Sequence, residues 1–538
     1  MLAMDFIRKS FGLIIILFLF GTQLYAQNKI SGFVFVDDNG NGSKERREQG
    51  VEGVGVTNGM DVVLTDRQGY YELTVGDDQI ISVIKPNGYA VKMDANFISR
   101  NYYIHKPNGS QTKEYEGVQP TGPLPKTLNF PLYPQDEGKD FRFIVFGDPQ
   151  MSHPEDLYYF KEGIVSELIG VENVAFGITL GDIVGNRLEG IPPYIEAVGE
   201  IGVPWYNVMG NHDINFDVDE DHLSDETFER LLGPPNFAYN YGGTQFIVLD
   251  NVLYPTPKGT QNYVSGLRED QWVFLENILK HIDRSKLLVM ACHIPLWSFK
   301  QSDKDRLYKL LDGFDQLLFL SAHTHVQQQF FHGTDQGWNG NQEIHEYNVG
   351  TTCGDWYSGE LDERGVPEAM MRDGTPKGYA FITISDNKYE IDYKVSGEPI
   401  GYQMRIFAPK VIRKGRGSYN FYANFFMGSK RDEVSFRVNG GEWMPMEFTP
   451  VQDPTYVTNL YKWDLSENLL MGKRSFYRAV NSTHLWNVRF PRDLDVGEHQ
   501  LEVRAKDMFG RYHTTSTKFR VEEAQPEPIL QKYKTSVN

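Results

Sequence analysis

Five short polar elements occur in the middle of the chain, each directly after an apolar run. They are Gly147-Asp148-Pro149-Gln150, Gly181-Asp182, Gly210-Asn211-His212-Asp213, His293 and His323-Thr324-His325. Carboxylate, amide and imidazole groups bind divalent cations, and several of them can also transfer protons. Each element alone has an ordinary explanation, because an Asp after a strand often caps a helix or turn and a lone His is often a buried polar group. Five such elements in one segment indicate a metal site.

The elements that must position these residues are strands that alternate with helices. Between residues 141 and 396, apolar runs such as FRFIVFGD and KLLVMACH alternate with amphipathic stretches such as EDLYYFKEGIVSELIG. This alternation predicts an α/β domain. Loops at strand ends are where α/β folds build their sites, so we expect the polar elements to meet at one edge of a sheet.

The order of the five elements resembles the calcineurin-like metallophosphoesterase family, whose blocks run Asp-x-His, Gly-Asp, Gly-Asn-His-Asp/Glu, His and Gly-His-x-His. The resemblance covers residues 141–396. It implies an α/β (α+β) fold in which two mixed sheets are flanked by helices in a four-layer αββα sandwich. It also implies a dinuclear metal centre that activates water to hydrolyse a phosphate ester. The β modules on either side are similar to those of some exported bacterial members.

The resemblance further implies a role for each residue. One metal would be held by Asp148, Gln150, Asp182 and His325, and the other by Asp182, Asn211, His293 and His323, with Asp182 bridging the two. His212 would stabilise the phosphoryl charge or protonate the leaving oxygen, and Asp213 would orient it. Oxygen and imidazole donors without thiolate suit Mn²⁺, which we favour, and also Fe²⁺, Zn²⁺ or Mg²⁺.

Three positions depart from the family pattern. Gln150 stands where the first block usually has His, so we expect the first site to bind its metal less tightly. Gly185 stands where purple acid phosphatases have a metal-binding Tyr, which argues against a charge-transfer Fe³⁺ centre. Ala322 replaces the Gly of the last block, a small change that we expect to be tolerated.

A segment rich in Gly and aromatic residues follows the last His element, at residues 350–359. It contains Asp355, Trp356 and Tyr357, which could line a substrate pocket. The alternative is that these aromatic residues pack the domain against its β neighbours, because Trp and Tyr serve both purposes.

A second cation motif lies near the N-terminus. Asp37-Asp38-Asn39-Gly40-Asn41-Gly42 followed by Glu48 fits the calcium loop D-x-[DN]-x-[DN]-G-x₅-E. Asp37, Asn39, Asn41 and Glu48 would supply side-chain oxygens and Ser43 its carbonyl, giving one structural Ca²⁺. An ordinary Asn-Gly turn is the alternative.

Length and composition place these motifs in a multidomain chain. The 538 residues exceed what one core supports. Alternating runs predict β-sandwiches at residues 28–120 and 401–523, a linker at 121–140, the central domain at 141–396 and a polar tail at 524–538. With 53 Lys+Arg against 72 Asp+Glu, the net charge of -19 disfavours a nucleic-acid polymer as partner.

The first 27 residues predict export. Arg8 and Lys9 precede an apolar run that is shorter than the roughly 20 residues a membrane span requires, which is typical of a secretory signal peptide. We therefore expect a periplasmic or secreted protein without a membrane span after cleavage. Its only cysteines, Cys292 and Cys353, are either bonded to each other or buried as free thiols.

The sequence thus favours an exported hydrolase of small phosphomonoesters or phosphodiesters. The alternative is a catalytically weak or inactive secreted scaffold, such as an adhesin or glycan-binding protein, and Gln150 is the residue that supports it. The substrate, the metal and the oligomeric state are not determined by the sequence.

Overall fold

The structure is a computed structural model of the chain, and it describes residues 28–112, 114–255, 262–415 and 419–523. The predicted signal peptide at 1–27 and the predicted tail at 524–538 lie outside the described residues. A central domain of mixed sheets and helices stands between two β domains. In the described ranges, none of the helices combines the length and the hydropathy needed to cross a bilayer.

Two four-stranded sheets form the N-terminal domain. Its strands are β1 (Asn28–Val36), β2 (Gly55–Thr57), β3 (Val62–Leu64), β4 (Tyr70–Val75), β5 (Gln79–Val83), β6 (Tyr89–Ala90), β7 (Tyr102–His105) and β8 (Phe130–Pro134). The strand orders are β4-β1-β8-β6 and β3-β2-β5-β7. Ile30 and Val34 of β1 and Val56 of β2 pack in one buried core, as in a sandwich. Strand β8 lies in the segment expected to be a linker but pairs in parallel with β1, so this domain continues beyond residue 120.

The central domain contains most of the helices. Its strands are β9 (Asp140–Phe146), β10 (Gly177–Thr179), β11 (Trp205–Asn207), β12 (Phe237–Tyr241), β13 (Thr244–Val248), β14 (Val252–Leu253), β15 (Val264–Ser265), β16 (Leu287–Ala291), β17 (Gln316–Ser321), β18 (Gln328–His332), β19 (Ile344–Asn348), β20 (Gly359–Glu360), β21 (Gly378–Ser385) and β22 (Lys388–Val395). Its helices are α1 (Pro154–Gly163), α2 (Ile191–Gly199), α3 (Glu226–Leu232), α4 (Glu269–Ile278) and α5 (Gln301–Leu311). Short 3-10 turns lie at Val165–Glu167, Leu188–Gly190, Asp221–Leu223, Leu279–His281, Leu296–Ser298 and Thr334–Gln336.

Two mixed sheets form the inner layers of this domain. Their orders are β11-β10-β9-β21-β22 and β12-β13-β16-β17-β19-β18. Because side chains alternate along a strand, Phe143 and Val145 of β9 pack towards the second sheet, while Phe146 packs on Phe160 of α1. On the other side, residues of β16 pack against α4 and α5. The predicted αββα layering is therefore confirmed.

The C-terminal domain is another pair of sheets, with one helix that the strand pattern did not predict. Its strands are β23 (Met404–Phe407), β24 (Val411–Arg413), β25 (Asn420–Phe425), β26 (Glu433–Val438), β27 (Met444–Pro445), β28 (Glu447–Phe448), β29 (Gly472–Lys473), β30 (Leu485–Arg489), β31 (Gly497–Lys506) and β32 (Tyr512–Glu522), and its helix is α6 (Pro454–Leu465). Asp453 caps α6 by accepting from the backbone N–H groups of Thr455 and Tyr456, and Pro454 follows at the first helical position.

The central and C-terminal domains share buried contacts. One apolar cluster contains Phe143 and Val289 of the central sheets together with Phe421 and Phe436 of the C-terminal sheets. The two-stranded ladder of β20 with β29 joins the same domains. The C-terminal domain is therefore packed firmly onto the domain that carries the polar elements.

Candidate metal centre

The ends of five parallel strands bring the polar elements together. β9, β10 and β11 run parallel in one sheet, and β16 and β17 run parallel in the other. Asp148, Asp182, Asn211, His293 and His323 each follow one of these strands within four residues. The carboxyl ends of neighbouring parallel strands meet at one edge, as the sequence predicts.

Four side chains form a compact cluster, which we call the metal cradle: Asp182, Asn211, His293 and His323. The His293 Nε2 atom lies 3.2 Å from Asp182 Oδ1, 3.1 Å from Asn211 Oδ1 and 3.2 Å from His323 Nδ1. Donor atoms of the Asp and the two His residues all lie within 4.8 Å of one another. Oxygen and nitrogen atoms in this arrangement can surround one cation.

A backbone carbonyl on the side away from the cradle sets the orientation of the His293 ring. Its Nδ1 atom lies 2.7 Å from the carbonyl oxygen of Leu180, so Nδ1 carries the hydrogen and Nε2 presents its lone pair to the cradle. Glycine is needed nearby, because a Cβ atom at Gly210 would lie 2.1 Å from the backbone nitrogen of Asp182. The Gly of the Gly-Asn-His element therefore allows two strand ends to approach closely.

The remaining three predicted ligands lie beside the cradle in a looser group. Asp148 accepts hydrogen bonds at both carboxylate oxygens from the His323 backbone N–H, each 3.1 Å long. The Nε2 atom of His325 is 3.9 Å from Asp148 Oδ1, and its Nδ1 atom is 2.8 Å from the carbonyl oxygen of Gly354. The Gln150 amide donates to Asp182 Oδ2 over 3.3 Å.

Asp182 therefore faces both groups, with one oxygen on each side. Its Oδ1 atom points to His293 and its Oδ2 atom to Gln150. Five of the seven predicted ligands have a left-handed backbone: Asp148, Gln150, Asp182, His323 and His325, with φ of 40°, 48°, 49°, 71° and 52°. Such strained conformations in residues other than Gly concentrate at functional sites.

The buried charges in and beside the cradle favour the binding of a cation. Burial lowers the pKa of His293, but the Asp182 and Asp148 carboxylates outweigh this effect and raise the pKa to about 9. Burial raises the pKa of Asp148, whereas the charge of His293 holds the pKa of Asp182 below its ordinary value despite burial. In the described part of the chain, no Lys or Arg pairs with either carboxylate.

The other two imidazoles are kept neutral. Burial and the charge of His293 lower the pKa of His323 to about 4, and burial and the charge of Arg372 lower the pKa of His325 to about 3. Neutral imidazole is the form that binds metal. Buried carboxylates without a basic partner, next to neutral imidazoles, make a donor set that fits divalent cations.

His212 lies at the border of the cradle with a side chain that is 22% exposed. Its backbone N–H donates to Asp182 Oδ1, and its ring Nε2 lies 4.0 Å from Asp182 Oδ2. The ring Nδ1 lies 2.5 Å from Asn186 Oδ1, so it carries a hydrogen and leaves Nε2 to face the site. Asn186, which sequence reasoning missed, is thus the side chain that orients His212.

Asp213 has a different place from the one that was predicted. Its carboxylate accepts hydrogen bonds from the backbone N–H groups of Val184 and Gly210, at 3.1 and 2.8 Å, and not from the His212 ring. Burial and the charge of Asp182 raise the pKa of Asp213 to about 7. Asp213 therefore supports the two loops that carry Asp182 and Asn211.

Of the three downstream residues, only Trp356 borders the site with an accessible side chain. Its indole stacks on the His325 ring, with centroids 5.8 Å apart, and meets the His212 ring edge-on at 5.3 Å. Tyr357 is buried and donates to the carbonyl oxygen of Pro149 over 2.6 Å. Asp355 is also buried and pairs with Arg372, a residue that the motif analysis did not select.

The departures from the family pattern have local reasons. A Cβ atom at Gly185 would lie 2.0 Å from Ser152 Oγ and 3.2 Å from the Trp356 ring, so a Tyr has no room there. Ala322 is fully buried in the core between the sheets. Cys292 and Cys353 are both free and buried, and burial raises the pKa of each thiol, which disfavours thiolate as a ligand.

The predicted calcium loop has most of its oxygens already hydrogen-bonded. Asp37 accepts from the backbone N–H groups of Gly40, Asn41 and Gly42 and from the Tyr133 hydroxyl. Asn39 accepts from Asn41, and Asn41 from the exposed Ser43. One buried oxygen, Glu48 Oε1, has no partner among the described residues, while Oε2 accepts from the Glu45 N–H.

Three family models match the chain. The description "Calcineurin-like phosphoesterase" covers residues 141–327, "N terminal of Calcineurin-like phosphoesterase" covers 38–117 and "C terminal of Calcineurin-like phosphoesterase" covers 346–513. The last match begins inside the central domain as the sheets define it, because β21 pairs with β9 and β22 pairs with β21. Among curated proteins, no sequence matches the chain.

Three solved structures resemble parts of the fold. A purple acid phosphatase, PPD1, from yellow lupin (Lupinus luteus) seeds is 12% identical, with 69% of this chain and 68% of that chain covered and a TM-score of 0.35. The protein TT1561 of Thermus thermophilus is 11% identical, with coverages of 47% and 99% and a TM-score of 0.28. A superoxide reductase (neelaredoxin) from Ignicoccus hospitalis is 9% identical, with coverages of 23% and 89% and a TM-score of 0.13. These structures are too distant to bear on function.

Proposed function

Because the chain belongs to the calcineurin-like phosphoesterase family, whose members use divalent metal ions, we propose that it is an exported hydrolase of small phosphate esters. The observation that carries this proposal is the metal cradle. Asp182, Asn211 and His323 each place a donor atom within 3.2 Å of His293 Nε2, and among the described residues no Lys or Arg pairs with the carboxylate. Such a buried cluster suits a cation and not a structural role.

In the proposed centre, the cradle residues Asp182, Asn211, His293 and His323 hold one cation. Asp148, Gln150, His325 and the second oxygen of Asp182 hold the other. The position of Asp182 between the two groups supports its role as the bridge. When bound, two divalent cations would neutralise the phosphoryl oxygens and make water a stronger nucleophile at neutral pH.

His212 is proposed as the proton donor to the leaving oxygen or as a donor to the phosphoryl charge. The Asn186 amide oxygen fixes Nδ1 as the hydrogen-bearing nitrogen. Nε2 is then the atom that can hold or release a proton towards the site. Its position 4.0 Å from Asp182 Oδ2, at the border of the cradle, supports this role because a leaving group must depart towards solvent.

We propose Mn²⁺ as the preferred ion, with Fe²⁺, Zn²⁺ or Mg²⁺ as substitutes. Amide and carboxylate oxygens from Gln150, Asn211 and the two Asp residues favour harder ions, and the His ligands favour borderline ones. Gln150 weakens the first site, since a neutral amide oxygen gives the cation less charge than an imidazole nitrogen does. A rotation of the amide about its last bond is required, because its nitrogen now faces Asp182.

The loop at residues 37–48 is proposed to bind one structural Ca²⁺. Phe35 pairs with Gly50 in an antiparallel bridge, which brings the two ends of the loop together. The Asp37 and Glu48 side chains are buried, and Glu48 Oε1 lacks a partner among the described residues. A cation bound by the loop could satisfy that oxygen.

A metal analysis combined with an assay on p-nitrophenyl phosphate and bis(p-nitrophenyl) phosphate tests the proposed function. We expect hydrolysis that a chelator abolishes and that added Mn²⁺ restores best. Protein that binds no metal and hydrolyses neither ester after Mn²⁺ addition would instead support the inactive scaffold. Export is tested separately, by fractionating cells that express the chain with and without residues 1–27.

A further inference from the structure

A buried carboxylate connects the central domain to the C-terminal domain beside the metal centre. Asp355 accepts hydrogen bonds from Arg372 Nε at 3.2 Å, from the Tyr456 hydroxyl at 3.0 Å and from the Ser475 hydroxyl. Tyr456 lies in α6 and Ser475 follows β29, so two of the three donors belong to the C-terminal domain. A fully hydrogen-bonded buried network of this kind holds its members in one geometry.

Among the described residues, the Arg372 guanidinium contacts two other side chains and keeps part of its donor groups unpaired. Its guanidinium lies over the Tyr477 ring, 4.0 Å from the centroid, while Nε is bonded to Asp355. In the described ranges, neither Nη nitrogen has an acceptor, and the side chain is 22% exposed. A guanidinium fixed in this way presents a planar pair of donors to an anion, which is the geometry that Arg uses for phosphate.

The segment that carries Arg372 lies next to the proposed ligands. Asp355 directly precedes Trp356, whose indole stacks on the His325 ring. Asp373, the residue after Arg372, accepts from the backbone N–H of Gln327 over 2.7 Å, two residues after His325. The positive charge of Arg372 also contributes to the lowered pKa values of His323 and His325, in agreement with this proximity.

We infer that Arg372 forms an anion subsite that binds a terminal phosphoryl oxygen of the substrate and thereby selects phosphomonoesters over phosphodiesters. This inference rests on the proposed function and names its substrate class. A monoester presents charged terminal oxygens both to the metals and to the guanidinium. A diester replaces one of these with an uncharged ester oxygen, which is a weaker acceptor.

Residues of the C-terminal domain hold Arg372 in place. Tyr456 and Ser475 do not reach the metal centre, but they hold the Asp355 carboxylate to which Arg372 is bonded. They are therefore positioning residues. The same domain supplies Tyr477, on which the guanidinium stacks.

The main test compares Arg372→Met with wild type on the mono- and bis-nitrophenyl esters. Because a hydrogen bond between charged groups contributes substantially to the free energy of substrate binding, we expect kcat/KM for the monoester to fall roughly 10- to 100-fold. Diester turnover should change by less than about threefold, and metal content should stay the same. Arg372→Lys should recover only part of the loss, because the single ammonium group of Lys does not replace the planar pair of N–H donors of the guanidinium.

Arg431→Met is the matched control. Arg431 also lies 4.0 Å above an aromatic ring, that of Phe331, and pairs with a carboxylate of the central domain, Glu343. It lies away from the metal centre, so its loss should leave the ratio of monoester to diester turnover unchanged. An equal loss on both esters in Arg372→Met, or the same shift in Arg431→Met, would overturn the inference.

Binding of inorganic phosphate separates this inference from the proposed function. Calorimetric titration of metal-loaded protein should show weaker phosphate binding in Arg372→Met by a similar factor, even if wild type hydrolyses neither ester. In that case the proposed hydrolase fails while the subsite stands. Unchanged phosphate affinity would remove the subsite whatever the activity.

A double-mutant cycle tests the positioning residues. Tyr456→Phe alone should raise KM for the monoester more than it lowers kcat. In the Arg372→Met background it should have no further effect on the ratio of monoester to diester turnover, because it acts through Arg372. Additive effects of the two substitutions would show that Tyr456 is merely structural.

Discussion

The metal cradle and the loop at residues 37–48 both collect oxygen donors, but they are built in opposite ways. The cradle draws Asp182, Asn211, His293 and His323 from four strand ends far apart in the sequence. The donor atoms of Asp182, His293 and His323 all lie within 4.8 Å of one another. The loop takes all its donors from twelve consecutive residues, and Asp37 is already hydrogen-bonded by three backbone N–H groups and the Tyr133 hydroxyl.

The two sites therefore depend on a cation to different degrees. The loop can satisfy nearly all of its oxygens by itself, so a cation adds stability to an existing turn. The cradle has to protonate His293 or bind a cation, because the buried carboxylates of Asp182 and of the neighbouring Asp148 otherwise lack positive charge. We therefore expect the cradle to govern activity and the loop to govern only the stability of its own domain.

The largest effect on activity is expected from His293→Ala, which removes the ligand at the centre of the cradle. The affinity of the cradle for its metal should fall by more than the roughly 10- to 100-fold seen when the hydrogen-bond partners of metal ligands are lost. Activity should fall with it. Mass spectrometry of bound metal measures this. The control is His345→Ala, since His345 is also buried but, among the described residues, its ring is hydrogen-bonded to Tyr389 and Gln329 and not to a predicted ligand. Equal metal loss in both variants would contradict the assignment.

His212→Ala should retain both metals and lose turnover by roughly 10²- to 10⁴-fold, the range for a positioned acid or electrostatic donor. Steady-state kinetics with metal analysis on one preparation separates this from ligand loss. His222→Ala, an exposed neighbour in the same domain, serves as control. Near-normal turnover in the His212 variant would mean that another group supports the leaving oxygen.

Gln150→His should tighten the first site by about tenfold, because imidazole nitrogen donates more strongly than an amide oxygen. The variant should need less added Mn²⁺ for full activity, without a higher kcat. The Gln150→Ala variant should need more added Mn²⁺ than wild type. If wild type keeps two metals through chelation and dialysis, or if the histidine variant loses metal, the explanation of this position is wrong.

The smallest effect on activity is expected at the loop. Ca²⁺ at about 100 times its Kd should stabilise the folded state by about 2.7 kcal/mol, which raises the melting temperature of a separately unfolding domain by roughly 10 °C. Asp37→Ala with Glu48→Ala should abolish that rise and leave kcat nearly unchanged. Asp66→Ala, which removes a similar turn at Gln68 and Tyr70, should keep it. If the melting curve is the same with Ca²⁺ and with chelator, the loop is an ordinary Asn-Gly turn and does not bind Ca²⁺.

The order of strands, helices and polar elements was readable from the sequence, because each signal is local. The apolar run in FRFIVFGD predicts β9, which is buried on both faces at its end, and the residue types after each strand predict the metal ligands. The Asp453-Pro454 pair also signals the start of α6, although the surrounding strand pattern hid it. The family resemblance required no more than these local patterns.

Tertiary structure alone decided which side chains complete the site. Asn186 reaches His212 across 26 residues, and Asp355 meets Tyr456 and Ser475 across more than 100. Neither pairing has a periodicity or motif, because it depends on how the loops at strand ends lie against one another and against the C-terminal domain. The sequence by itself therefore determined the types of the candidate ligands and the strands that carry them. The partners that orient His212 and Arg372 follow from packing, since contacts between distant segments are fixed only when the layers come together.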